Sequence, residues 1–117
     1  MTLYFDNARL IDPEAGTDRP GTLIVDAGRI AALDAANAPR GARVIDCAGA
    51  CLAPGIVDVG VQVGEPGARH KESFRSAGRA AAAGGVTTIV TRPDTDPPID
   101  SPEVLEFVTR RAAAETP

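Results

Sequence analysis

The run Gly55-Ile56-Val57-Asp58-Val59-Gly60-Val61-Gln62-Val63, continued by Gly64-Glu65-Pro66-Gly67, decides the fold of this chain. Its residues alternate. A β-strand turns successive side chains to opposite faces. Val57, Val59, Val61 and Val63 are therefore expected on one face, and Asp58, Gly60 and Gln62 on the other. After the Gly64–Gly67 loop, Phe74, Ala77, Gly78, Ala81 and Ala82 recur at 3,4 spacing, which predicts a helix from about Lys71 to Ala83. Gly84-Gly85 ends it as a C-cap. Val86-Thr87-Thr88-Ile89-Val90-Thr91 is β-branched throughout and reads as a buried strand. Asp100 is the expected N-cap of a second helix and Glu103 completes a capping box. Val104, Leu105, Val108 and Ala112 line one face of that helix. Strand, helix and strand make a βαβ unit, which argues for a parallel sheet.

Upstream of residue 54 the character changes to short strands and turns. Leu3-Tyr4-Phe5 and Arg9-Leu10-Ile11 flank Asp6-Asn7, read as a turn pair. Thr22–Val25 and Arg29–Leu33 flank Asp26-Ala27-Gly28, a hairpin loop containing glycine. Arg43–Asp46 is a further short strand, and 34–41 reads as a loop. Cys47 and Cys51 form a C-x3-C pair, and the only histidine, His70, is distant in sequence. Zinc wants about four ligands, so the pair reads as two small core-filling residues near a turn.

Composition narrows the function classes. With 117 residues and 44% hydrophobic content, the chain is globular in composition; aromatics are only 3%, so packing falls to Val, Ile, Leu and Ala. A net charge of −4 without a basic stripe argues against nucleic-acid binding. No apolar run approaches the ~20 residues of a membrane span. Residues 1–12 lack a signal-peptide layout, so a cytoplasmic location is expected.

Leu52-Ala53-Pro54-Gly55-Ile56-Val57-Asp58 resembles the segment entering the first barrel strand of the amidohydrolase superfamily. Glu65-Pro66-Gly67 with His70-Lys71-Glu72 narrows the resemblance to the cyclic amidohydrolases, and Arg92–Asp100 is similar to the dihydroorotase signature M-P-N-T-x-P. The resemblance implies an α/β fold: part of a small β-sandwich (residues 1–53), then the first two βα units of a (β/α)8 barrel (residues 54–117). A full barrel takes about 250 residues. Ala112–Pro117 therefore reads as a helix cut short, with the family's remaining ligands expected beyond Pro117.

In that family the first strand ends His-x-His, and both imidazoles hold a catalytic zinc. Those places fall on Gly60 and Gln62. Glycine brings no ligand, and a neutral amide oxygen is a poor zinc donor beside imidazole. The family's substrate-binding arginine aligns with Gly64 and its asparagine with Asp94, where a carboxylate would repel an anionic substrate. The resemblance thus implies a bacterial, cytoplasmic dihydroorotase-like protein of pyrimidine biosynthesis. It is expected to be a pseudoenzyme with no zinc, no catalytic residue and no intact substrate contact. Some such chains assemble with aspartate carbamoyltransferase, which is the partner implied. The alternative is part of an active zinc-dependent cyclic amidohydrolase, of dihydroorotase or allantoinase type, with a rebuilt site. A truncated product without a function of its own is a third reading. Open strand edges and uncovered helix faces predict an oligomer.

Other readings are weaker. Asp58 and Asp94 as an acid–base pair compete with Asp58 as a hydrogen-bonded structural carboxylate and Asp94 as a turn former. His70 reads as a solvated residue before the helix rather than a base. Gly84-Gly85 follows a helix, whereas phosphate loops precede one. Asp94–Asp100 lacks the spacing and glycine of a calcium loop.

Overall fold

A computed structural model describes residues 1–117. The chain divides into two compact units, Met1–Pro54 and Gly55–Pro117.

In the first unit β1 (Leu3–Asp12), β2 (Thr17–Asp26), β3 (Arg29–Leu33), β4 (Arg43–Asp46) and β5 (Cys51–Leu52) form a single sheet. Its order is β3-β2-β1-β4, with β5 also paired to β1. Asp6-Asn7, expected as a turn, instead lies inside one continuous strand. It is a bulge: the register against β2 shifts between Phe5 and Ala8, and Asn7 takes φ 52°. Asparagine tolerates that left-handed conformation better than most residues. The bulge lets β1 pair in parallel with two short strands in turn, Leu3–Asp6 with β4 and Arg9–Leu10 with β5. Between them residues 47–50 follow the bulge in the same direction, and the amides of Cys47 and Gly49 donate to the carbonyls of Asp6 and Asn7 at 2.8 and 2.7 Å. The Asp26–Gly28 hairpin forms as expected. Ala27 and Gly28 both have positive φ, 48° and 75°, as a tight two-residue hairpin turn requires. β2 begins at Thr17, five residues before the expected strand, because Pro20 masks the start.

Ala8, Leu10 and Leu23 are the buried centre of this unit, with Phe5, Val25, Cys47 and Leu52 packed around them. Tyr4 is buried as well, and its hydroxyl donates to the Ala35 carbonyl at 3.0 Å, which ties down the 34–41 loop. Only one of the two cysteines fills core. Cys47 is half-buried, whereas Cys51 is exposed beside Arg9, and both thiols are free.

In the second unit β6 (Ile56–Val61) and β7 (Val86–Thr91) pair in parallel, with α1 (Phe74–Ala83) between them and α2 (Pro102–Glu115) after them. The βαβ arrangement is the one the hydrophobic pattern predicts, with local differences. The alternation of β6 breaks at Gly60, where the register shifts between Val59 and Val61 and φ is +88°. A second shift, between Ile56 and Val57, leaves Thr87 as the extra residue of β7. α1 starts at Phe74 rather than Lys71, because Ser73 is its cap: Ser73 and Ser76 hydrogen-bond to each other's backbone amides. Likewise Ser101, not Asp100, caps α2, with Pro102 at its first position. β7 is not fully buried, since Val90 is 47% exposed.

Val63, Phe74, Ala77 and Val108 form the core here, with Val61, Ile99, Val104 and Ala112 packed against it. Val57 and Val59, on the strand itself, remain exposed, as does Leu105 on α2. In neither unit does any large side chain fall below 2% exposure. The two-stranded sheet is open on both edges. No helix is long and apolar enough to cross a membrane.

Phe74 is the largest side chain of the second core. Phe74→Ala is expected to lower the unfolding free energy of this unit by about 3 kcal/mol, the lower end for a buried Phe→Ala change because the core is open at its rim. Urea titration of the two proteins side by side measures it.

Candidate functional site

A cleft of about 440 Å³ opens where the chain leaves β6 and β7. Its walls are the loop after β6, with Gln62, Gly64, Gly67, Lys71 and Glu72, and the loop after β7, with Asp94, Thr95 and Asp96. The C-terminal end of parallel strands is where α/β barrels build their sites. Three of the positions singled out in the sequence, Gln62, Gly64 and Asp94, therefore meet at one place. Gly60 and Asp58 do not line the cleft. The bulge at Gly60 breaks the alternation that put them on its face. Asp58 is exposed and makes no side-chain hydrogen bond or ion pair within these residues.

The electrostatics are acidic. Glu72, Asp94 and Asp96 face a single cation, Lys71. Asp94 is paired with Arg92 at 2.9 Å, but both side chains are about half exposed, where such a pair is weak. His70 is exposed in the turn before α1 and does not line the cleft. Zinc held by imidazole does not fit these residues. Gly60 has no side chain and a bulged backbone, and Gln62 offers an exposed neutral amide.

Glu65 holds the wall of the cleft in place. It is a buried charged residue, 4% exposed, and its partners come from both helices. Arg111 lies 2.8 Å from Oε1, and the Phe74 amide, at the start of α1, donates to Oε2 at 3.2 Å. Arg69 approaches Oε1 at 3.6 Å. A second carboxylate, Glu115, bridges Arg111 at 3.1 Å and Arg75 at 3.0 Å. Burial alone would push the Glu65 carboxyl up. The hydrogen bonds from Arg111 and Phe74, with the charges of Arg111 and Arg69, outweigh it and hold the group below the ordinary glutamate value. In the sequence Glu65 stands out only as part of the Glu65-Pro66-Gly67 motif. Its partner Arg111 is 46 residues away, and the one local hint is the four-residue spacing of Arg111 and Glu115 on α2.

The packing of two glycines completes the loop. Gly67, at φ +96°, lies so close to Asp96 that a Cβ would sit 2.5 Å from the Asp96 carbonyl oxygen. At Gly64 a Cβ would meet the Glu72 and Ala68 carbonyl oxygens at 2.7 and 2.8 Å.

The model of the family described as "Dihydro-orotase-like" matches residues 49–116. A dihydroorotase of Pelobacter propionicus is 40% identical over 112 residues, covering 95% of this chain and 26% of that protein. A dihydroorotase-like protein of Pseudomonas putida is 46% identical over 113 residues, covering 96% and 27%. Among solved structures, the L-hydantoinase (dihydropyrimidinase) from Arthrobacter aurescens superposes with a TM-score of 0.84 at 28% identity, covering 94% of this chain and 24% of that one. The chain thus spans about a quarter of the length of the curated relatives it matches.

The Glu65 contribution to stability is complete above the ordinary glutamate value of about 4.3 and is lost as pH falls through the lower value of the folded protein. Glu65→Ala leaves Arg111 without its buried partner and is expected to cost about 3 kcal/mol at pH 7. As the pH falls below the ordinary glutamate value the gap to the parent should shrink. Denaturant titrations across pH 2.5–7 measure both.

Proposed function

The chain belongs to the dihydro-orotase-like family, and from that premise we propose that it is a non-catalytic member associated with pyrimidine biosynthesis. The observation that carries this reading is the donor set at the end of β6. The two strand positions that hold the family's zinc are a glycine in a bulge and an exposed glutamine. Lewis-acid chemistry needs strong donors held in a fixed geometry. Neither residue supplies one, so no hydrolytic step is assigned to these residues.

Binding of an anionic substrate is disfavoured on separate grounds. The position of the family's arginine is Gly64, and the cleft wall opposite carries Asp94 and Asp96. Loss of the cation and gain of carboxylates act in the same direction. A fold kept after its chemistry has gone suits a structural role, and aspartate carbamoyltransferase is the partner we propose. Two relatives bearing the description "Dihydroorotase-like protein", from Pseudomonas putida and Pseudomonas aeruginosa, are 46% and 43% identical to this chain.

A second reading has its own support. Proteins described as dihydroorotases, that of Pelobacter propionicus among them, are about as similar at 40% identity. On that reading the protein is a zinc-dependent cyclic amidohydrolase with a rebuilt site.

Metal analysis and a dihydroorotate hydrolysis assay on purified protein separate the two. The expected result is less than a tenth of an equivalent of zinc and no turnover above buffer. Stoichiometric zinc with hydrolysis would overturn the non-catalytic reading. The partner proposal has its own check: size-exclusion chromatography with aspartate carbamoyltransferase should show co-elution, and separate elution at micromolar concentrations would remove it.

A further inference from the structure

We infer that residues 64–72 form a locked strap over the end of β6, and that Gly64 is the residue that decides whether it is closed. The segment is not a free loop. The Ala68 amide donates to the Gly64 carbonyl at 2.6 Å, and the Lys71 and Glu72 amides both donate to the Ala68 carbonyl, at 2.8 and 3.3 Å. The chain therefore winds back onto its own start.

Three anchors hold it. Glu65 is fixed to Arg111 and to the Phe74 amide. Gly67 is seated against Asp96, where a Cβ would collide with backbone and where φ is positive. Gly64 itself is covered: a Cβ there would lie 2.7 Å from the Glu72 oxygen, 2.8 Å from the Ala68 oxygen and 3.2 Å from the Glu72 nitrogen. All three atoms are main chain, so rotation of a flexible side chain cannot relieve the contact.

Gly60 is the contrast. Its φ of +88° strains any side chain, yet nothing lies within 4 Å of the Cβ position. At Gly60 the obstacle is conformation, and at Gly64 it is space. Position 64 has no positive φ and needs glycine only because the strap is down. Any side chain at 64 must lift the strap from the end of β6, and that moves Lys71 and Glu72, two walls of the cleft.

Amide hydrogen exchange on the full chain tests it. In Gly64→Ala the amides of Ala68, Lys71 and Glu72 should exchange at least tenfold faster, together, while the helical amides of α1 keep their rates. In Gly60→Ala those three amides should be unchanged. Unaltered protection of Ala68, Lys71 and Glu72 in Gly64→Ala would overturn the inference. If Gly64→Ala fails to fold, Glu65→Gln is the second variant. It frees one anchor, so the same three amides should accelerate as a group, and no change there would equally overturn it. Zinc and hydrolysis assays do not enter either outcome, so a failure of the strap is distinct from a failure of the non-catalytic reading.

Discussion

A carboxylate taken almost wholly out of water must be answered by charge or by hydrogen bonds, and Glu65 is answered by both. Its oxygens draw in the guanidinium of Arg111 from α2 and the first amide of α1. One side chain thus fixes the loop after β6 to the two helices of its unit. The amide it takes is one that α1 cannot satisfy internally, so a helix end gains a partner in the same contact. Arg69 and Arg75 add exposed charges around Glu115, and these contribute little by comparison. The shape of the cleft follows from this arrangement, because the loop that Glu65 anchors is one of its two walls.

Glycine serves in this chain for three physical reasons. Gly28 supplies the positive φ of a hairpin turn. Gly60 accommodates a bulge that interrupts a parallel pair. Gly64 and Gly67 allow main chain to approach main chain. The third use carries the most weight for function. Where a backbone has closed over a position, a ligand-binding side chain cannot return by a single substitution. The loss of chemistry proposed for this protein is accordingly a matter of main-chain path as well as of side-chain identity.

Much of the fold was legible because hydrophobic period is local. Val86–Thr91 could hardly be anything but a strand, and Gly84-Gly85 marked the end of α1. Gln62, Gly64 and Asp94 were gathered into one site by the family resemblance, and they meet in the structure because parallel strands deliver their C-terminal ends to the same side. What escaped reading depends on partners remote in sequence. The bulge at Asp6-Asn7 exists because β1 must match two successive strands, and nothing within the strand announces that. The start of α1 turned on which of several polar residues bonds to the backbone, and Ser73 prevailed over Lys71 through its reciprocal bond with Ser76. Leu33 and Val44 sit within expected strands yet stay more than half exposed, since membership of a strand does not provide a covering layer.

The thinness of both interiors has a thermodynamic consequence. The buried apolar set is Tyr4, Ala8, Leu10, Leu23, Ile24, Val63, Phe74, Ala77 and Val108, and three of these barely reach that state at 9% exposure. Unfolding such a chain wets less hydrocarbon than its length would suggest, so its heat-capacity increment is small. A small increment flattens the curve of stability against temperature. These 117 residues by themselves should therefore keep a similar margin over a wide thermal range, modest at its best and slow to fade in the cold.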